Sequence, residues 1–428
     1  MSTNPRQTLN QRTLLSIQSA ANSPVAASKL LPMSEFTIQP QAEFSQTRSL
    51  GKRIHDMVNP IKEWTTVSVA GKADYNDLTY WLAMMFNYAA PAGSDESTWT
   101  FESNMTCRDT SKMASIWKGD GCVRNDFLHD AEVQSMSLTF GRNEISKSLT
   151  LFGRELEHGV TQLSLAITGA PTGGTFTITY NSHATAAIAY NATAAAVQAA
   201  LVALADFETD QIECVGGALP SAAVTIFVKQ LDAQAASSFT TTDSLTGGTT
   251  PASAIAAITE TELAKKEILP GHVSVYFADE QADLDAAVAA VRNMSVTFNY
   301  NNKKTPLYVL NSTYGNGYKE AIETPADITL SFTVAADSEG EAFIETMRDG
   351  STKFMRIEAV GPVIGTDMGG TSTKNYTYTG DFAFQINTAP SLEDMEGLYA
   401  NTYGGVIVDD ATWGKGYSQI LINAVDVV

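Results

Sequence analysis

Basic residues and cysteines are both scarce in this chain of 428 residues. Lys and Arg total 27 against 47 Asp and Glu, which gives a net charge of −20. Because phosphate binding depends on Lys and Arg, a chain this acidic is a poor candidate for binding nucleic acid tightly. It could still surround DNA without binding it. Three cysteines are too few for a disulfide scaffold and are typical of a reducing compartment. No apolar run is long enough to predict a transmembrane helix.

The motifs of the common enzyme classes are missing as well. There is no phosphate-binding GxxxxGK[ST] loop, no HExxH or CxxC pair and no EF-hand spacing. The five histidines are scattered along the chain. The sequence therefore predicts a protein that is not an enzyme and that needs no cofactor or metal.

Composition divides the chain into four parts. Residues 1–34 are rich in Ser, Thr, Asn and Gln and contain no acid, which predicts a flexible N-terminal arm that either binds an acidic neighbour or stays free. Residues 35–160 and 263–428 each combine alternating strands with one helix. Residues 161–262 are dominated by Ala, Thr and Gly and contain Lys229 as their only basic residue. This middle part predicts a small inserted α+β module.

The two flanking parts resemble each other when the first is shifted by 263 positions. Val67 then meets Leu330 within a strand, and Asp74 meets Asp337 at the start of the following helix. The match is one of pattern, with little identity. It predicts two copies of one β-rich domain, with the module inserted between them.

The long strands alternate between apolar residues and small hydroxyl residues. Met136, Leu138 and Phe140, for example, alternate with Ser137 and Thr139. An antiparallel sheet with one buried and one wet face has this pattern. An ordinary solvated sandwich face is one interpretation. Ordinary solvated faces usually carry Lys and Glu, however. The second interpretation is therefore that this face forms the wall of a pore through which DNA slides.

Several strings in the flanking parts resemble the major tail tube proteins of long-tailed, siphovirus-like bacteriophages. They are LTLFGREL (149–156), ILPGHVSVYFAD (268–279), TPADITLSFTVAADSE (324–339), FMRIEAVGP (354–362), VIVDDATWGKGYSQILINAV (406–425) and, in the first half, GKADYNDLTYWLAMMF (71–86). The middle part is similar to a small domain inserted into phage structural proteins and some bacterial surface proteins.

The resemblance implies a mainly β fold, with duplicated tail-tube β-sandwich or barrel domains, each with one packed helix. In that family each domain gives four strands to a shared inner barrel, and six domains close a ring. Two copies per chain favour rings of three chains, with six chains as the alternative. The implied lumen-facing residues are Ser135, Ser137, Thr139, Ser295, Thr297, Thr329, Ser331, Thr333, Thr377, Thr379 and Asp381.

The resemblance also implies how rings would stack and what they would meet. Long loops at 40–61 and 301–325 would reach the next ring through Leu50, Ile54, Met57, Leu307, Val309 and Tyr314, unless these residues pack within their own loops. The implied partners are the chain itself, the tape measure protein, the tail terminator, the tail-tip proteins and passing DNA that is not tightly bound. The implied location is the virion tail, after assembly in the host bacterial cytoplasm and without membrane insertion.

Two further functions are compatible with the sequence. One is a surface adhesin or capsid decoration protein whose module binds cell-wall glycans. The other is the inner tube of a contractile injection system.

Overall fold

A computed structural model of the chain describes residues 11–31, 35–91, 98–102, 112–120, 125–230, 234–290, 292–301, 304–311, 315–323, 325–366, 373–395 and 397–425. The chain forms two compact units. Unit 1 comprises Met1–Leu31, Met113–Ala131 and Gly153–Glu262, and unit 2 comprises Pro32–Lys112, Glu132–Phe152 and Leu263–Val428. Strands outweigh helices in both units, which confirms the predicted mainly β fold class.

The elements are as follows. The strands are β1 (Arg12–Gln18), β2 (Lys29–Leu30), β3 (Glu35–Thr47), β4 (Met57–Lys72), β5 (Asn87–Ala89), β6 (Thr98–Glu102), β7 (Met113–Gly119), β8 (Asn125–Gly141), β9 (Ile145–Gly153), β10 (Glu157–His158), β11 (Val160–Thr168), β12 (Gly173–Tyr180), β13 (His183–Ala184), β14 (Ile188–Ala189), β15 (Ile212–Gly216), β16 (Val224–Lys229), β17 (Phe239–Thr246), β18 (Ala252–Ala257), β19 (Thr261–Glu262), β20 (Val273–Ala278), β21 (Asn293–Asn301), β22 (Thr305–Leu307), β23 (Glu320–Ile322), β24 (Asp327–Ala335), β25 (Lys353–Thr366), β26 (Thr373–Met395), β27 (Leu398–Ile407) and β28 (Tyr417–Ile422). The α-helices are α1 (Asp77–Ala83), α2 (Ala194–Val202) and α3 (Ser338–Asp349), and 3-10 turns occupy Ala236–Ser238, Pro270–His272 and Gln281–Asp285.

The N-terminal segment is built into unit 1, so the prediction of a flexible arm over 1–34 is wrong for residues 11–31. β1 pairs with β7 along its whole length, from Arg12 opposite Gly119 to Gln18 opposite Met113. Leu14 and Leu15 are buried. Burial of these two side chains supplies an apolar contribution to stability that the mainly polar composition of the segment does not indicate. Residues 1–10 and 32–34 lie outside the described residues.

The middle module consists of two small sheets and helix α2. One sheet has the order β15-β16-β11-β18, and in the other β12 pairs with β13, β14 and β17. Helix α2 begins after Thr193, whose side chain accepts a hydrogen bond from the N–H of Ala196. Its Val197 and Leu201 are buried in the core between the sheets.

The module also packs on the N-terminal strands, so unit 1 does not follow the predicted boundary at residue 160. The rings of Phe127 and Phe227 lie 4.8 Å apart, and Trp117 Nε1 donates to the carbonyl of Val160 at 2.9 Å. Leu14 belongs to the same apolar cluster.

Unit 2 contains a sheet of eight strands in the order β3-β4-β9-β8-β21-β24-β27-β26. The first four come from residues 35–153 and the last four from residues 293–407. Within each set the strand order along the sheet is first, second, fourth, third in chain order. The two halves therefore have the same topology and lie side by side in one sheet.

A second sheet covers one face of this eight-stranded sheet. It has the order β20-β25-β26-β28-β6-β5, and β26 is long enough to belong to both sheets. Ring contacts join the layers: Phe140 lies 5.6 Å from Tyr378, and Phe298 lies 4.7 Å from Phe382. These contacts fix which face of the eight-stranded sheet is buried.

Each half of unit 2 carries a helix after its second strand. α1 follows β4, and every residue of α1 is buried. α3 follows β24 and ends at Gly350, whose φ of 64° is the left-handed conformation that favours glycine at a helix end. Asp74 and Asp337, which the shift of 263 aligns, both accept hydrogen bonds from backbone N–H groups at the helix starts.

Candidate assembly surfaces

The face of the eight-stranded sheet opposite the core is covered with hydroxyl groups. Strand pairing places Ser137, Asn299 and Thr329 in one row and Thr139, Thr297 and Ser331 in the next. The rows continue onto β9, because Ser146 pairs with Thr139 and Ser148 with Ser137. Adjacent strands thus contribute side chains of one chemical type to a continuous surface.

On its three central strands this hydroxyl face carries no Lys or Arg, and Asp327 at the start of β24 adds one negative charge. The hydroxyl and amide side chains on it are Ser135, Ser137 and Thr139 of β8, Ser295, Thr297 and Asn299 of β21, and Thr329, Ser331 and Thr333 of β24. The hydroxyls also bond to one another: Thr297 Oγ1 donates to Thr139 Oγ1 at 3.3 Å, and the Oγ1 atoms of Thr333 and Thr402 are 2.9 Å apart. A face with no Lys or Arg offers a polyanion no counter-charge.

Three of the eleven implied lumen residues do not lie on this face. Thr377, Thr379 and Asp381 belong to the part of β26 that pairs with β25 and β28 in the second sheet. Their neighbours Tyr378 and Phe382 point towards the eight-stranded sheet. Because side chains alternate along a strand, the three residues point away from it. They therefore cannot line one surface together with Ser137 and Thr297.

Asp381 is, in addition, engaged in an ion pair. Its carboxylate oxygens accept from Arg356 Nε at 2.7 Å and from Arg356 Nη2 at 2.8 Å, and Gln281 Nε2 donates to it at 3.2 Å. The residue is only 7% exposed. A carboxylate held in this way stabilises the second sheet and is not available to line a pore.

The predicted loop at 40–61 is in fact a long hairpin. β3 and β4 stay paired from Glu35 opposite Ala70 out to Thr47 opposite Met57, so only residues 48–56 form the connection. Every residue from 42 to 61 is exposed. The exposed apolar side chains are Phe44, Leu50, Ile54, Met57, Val58 and Ile61. The three residues selected from the sequence, Leu50, Ile54 and Met57, are all on this surface.

The connection at 301–325 is different. It contains the short hairpin β22–β23, and Leu307 and Val309 are half-buried, whereas Leu310 is fully exposed. Tyr318 and Tyr308 pack with Phe152 in a local cluster. Tyr314 lies outside the described residues. Local packing thus accounts for part of this connection, and Leu310 and Ile322 are exposed apolar residues that sequence reasoning missed.

A third exposed hairpin connects β26 and β27. Its apolar side chains Leu392, Leu398 and Tyr399 are 63%, 59% and 71% exposed, and Glu393 and Asp394 lie between them in the chain. Sequence reasoning missed this surface. The string SLEDMEGLY, with apolar residues next to acids at a turn glycine, is the pattern that could have indicated it.

Both edges of the eight-stranded sheet are open among the residues that the structure describes. β3 pairs there with β4 alone, and β26 beyond Phe384 pairs with β27 alone. Unpaired backbone N–H and C=O groups at a sheet edge are a template for pairing with another strand.

Within the described parts of the chain, no three His, Cys, Asp or Glu residues come together as a metal site. Those parts also contain no helix with the length and apolar character needed to span a membrane.

No family model and no curated protein matches the chain. Solved structures that are similar to parts of it include the following two. One, described as "Mycobacterium phage Patience", is 21% identical over 37% of this chain, with a TM-score of 0.16, and the chain spans only 60% of its length. The other, described as "Crystal structure of Hcp protein", is 10% identical over 34% of this chain and 96% of its own, with a TM-score of 0.18. TM-scores this low do not establish a shared fold, so function has to be inferred from the surfaces described above.

Proposed function

We propose that this chain is a structural protein of a bacteriophage tail, which polymerises as stacked rings into a hollow tube that conducts double-stranded DNA. The observation that carries the proposal is the eight-stranded sheet, with one buried face, one hydroxyl face that has no Lys or Arg on β8, β21 and β24, and two open edges. A sheet of this kind can close only by pairing its edges with those of other copies.

The dimensions favour three chains per ring. Three copies of the sheet would give roughly 24 strands, and at about 4.8 Å spacing and about 40° tilt the backbone circle is on the order of 45–50 Å across. Six copies would double that circle. In the smaller ring the repeated strand order supplies a sixfold-like barrel from three chains.

The hydroxyl face explains how the proposed tube conducts DNA without binding it tightly. In the proposed ring it lines the bore, where a duplex meets Ser and Thr hydroxyls and no row of cations on β8, β21 and β24. DNA retention would require counterion release by Lys or Arg. The tube therefore acts as a passive conduit, and its role is structural rather than catalytic.

Negative-stain electron microscopy of the purified protein tests the proposal. We expect rings and hollow tubes, with three chains per ring determined by image averaging. A protein that stays monomeric and forms no rings, even at the concentrations at which virion proteins assemble, would contradict the proposal. Assembly of the purified protein with linear duplex DNA distinguishes the cargo, because a DNA conduit should enclose DNA that stays freely exchangeable.

A further inference from the structure

The β3–β4 hairpin, here called the upper hairpin, and the β26–β27 hairpin, here called the lower hairpin, lie at opposite ends of the eight-stranded sheet. Asn301 pairs with Ser135 and Asp327 at one end, here called the upper end, and Ser295 pairs with Gly141 at the lower end. Ala73, just after β4, donates its N–H to Ile145 at the start of β9, so β4 ends at the lower end. The turn at 48–56 is therefore at the upper end. Leu398 and Ala400 begin β27 at the lower end, since Ala400 pairs with Ala335.

The upper hairpin combines apolar and basic residues at its tip. Arg48, Lys52 and Arg53 lie within six positions of Leu50 and Ile54, in a chain that is otherwise strongly acidic. Asp56 is used within the turn, where it accepts from Ser49 and lies 3.5 Å from Lys52 Nζ. Among the described residues, neither Arg48 nor Arg53 has an ion-pair partner. The tip thus presents uncompensated positive charge.

The lower hairpin has the opposite charge on a similar apolar surface. Glu393 accepts from Ser391 Oγ at 3.2 Å, and Asp394 accepts from the N–H of Gly397 at 2.8 Å. Within the described part of the chain, neither acid has a cationic partner. Leu392, Leu398 and Tyr399 surround them.

The upper hairpin also lacks the packing that would stabilise it alone. Isolated two-stranded hairpins are marginally stable in water, and this one exposes every residue from 42 to 61. Exposed apolar clusters rimmed by charges mark interaction surfaces. Two copies of a chain with a net charge of −20 repel each other, unless the contact brings opposite charges together.

We infer that the upper hairpin of one copy docks on the lower hairpin of a second copy, so that Arg48 and Arg53 meet Glu393 and Asp394 while Leu50 and Ile54 cover Leu392, Leu398 and Tyr399. Because the partners lie at opposite ends of the strands, the contact is head-to-tail and repeats without limit. The inference rests on the proposed tube and names the surface through which successive rings would bind.

Two charge-reversed variants test this contact. The acidic-tip variant is Arg48→Glu/Arg53→Glu, and the basic-tip variant is Glu393→Arg/Asp394→Arg. Each alone presents like charges at both ends, so we expect loss of tubes while circular dichroism remains that of the wild type. Mixed in equal amounts, the two variants present opposite charges again, and we expect tubes to return. The control Glu208→Arg/Asp210→Arg makes the same change in net charge as the basic-tip variant, but in unit 1, and should assemble normally.

The outcomes separate the inference from the proposed function. Tube formation by either variant alone at the wild-type level overturns the inference and leaves the proposed function standing. Failure of the folded variants to restore each other in the mixture also overturns it, and points to another occupant of the hairpins, such as a different tail protein. Absence of tubes from the wild type contradicts the proposed function. In that case, association of the two variants by sedimentation velocity, with none for either alone, still supports the hairpin contact, and no association contradicts it.

Discussion

Lys304 and Glu132 form an ion pair in the interior of unit 2, with Nζ 2.7 Å from Oε2 and both side chains almost completely buried. Glu132 lies on β8, in the first set of four strands, and Lys304 follows β21, in the second set. The pair therefore connects the two halves at the place where β8 and β21 are neighbours.

Lys304→Met should leave the Glu132 carboxylate buried without its counter-ion. We expect a loss of about 3–5 kcal/mol in the free energy of unfolding, measured by urea titration of unit 2 fluorescence. Adding Glu132→Gln should recover part of it, because the uncompensated charge is then gone. Lys319→Met removes an exposed cation beside Glu320 and should cost less than about 1 kcal/mol. Equal effects of Lys304→Met and Lys319→Met would contradict the prediction.

Asp130 should make unit 1 sensitive to acid. Burial on its own would raise the pKa of this carboxyl, but His129, Arg154 and the N–H of Asn22 outweigh it and lower the pKa to about 2. A lowered pKa means that the stabilisation is fully present above the unfolded value of 3.8 and is lost as the pH falls towards 2. The contribution is on the order of 2 kcal/mol.

Asp130→Asn should therefore destabilise unit 1 at neutral pH, and its difference from the wild type should shrink between about pH 4 and pH 2. Because Asp130 binds Gln18 Nε2 at 3.0 Å, the variant should also increase hydrogen exchange in β1. Glu208→Gln, on an exposed turn, serves as the control. A difference between Asp130→Asn and the wild type that stays constant down to pH 2 would argue against the assigned pKa.

If the hydroxyl face lines the bore of the proposed tube, a lysine on that face should make the tube retain DNA. We expect tubes of Ser137→Lys, assembled with linear duplex DNA, to retain nuclease-protected DNA that salt releases, because each added cation releases counterions. Thr379→Lys adds the same charge on the opposite side of the sandwich and should behave as the wild type. Retention by Thr379→Lys but not by Ser137→Lys would place the bore elsewhere.

Alternation of apolar and hydroxyl residues is enough to predict the hydroxyl face on β8, β21 and β24. Each of these strands packs against another layer on one face and is open on the other face. The same alternation failed on β26. Thr379 and Asp381 follow the pattern of Ser137 and Thr139, but the first part of β26 belongs to the second sheet, whose open side faces the other way. Alternation with a period of two predicts that a strand has one buried face and one open face. It does not identify the sheet to which the strand belongs.

The N-terminal segment shows that amino-acid composition alone does not predict whether a segment is folded. Gln18 and Asn22 are typical of unfolded segments, yet both bind the carboxylate of Asp130, which is more than 100 positions away. Hydrogen bonds of this kind depend on tertiary neighbours that no local pattern contains. Leu14 and Leu15 were the local indication that the segment could be buried.

The fusion of two similar halves on one chain allows their ends to diverge. The first half connects its leading strands by the basic hairpin tip at 48–56, whereas the second connects the equivalent strands through β22 and β23. A ring of three such chains would have a barrel with sixfold regularity but docking points in only half of those positions. Successive rings would then fit in three rotational settings rather than six, because only one of the two halves of each chain carries the docking loop.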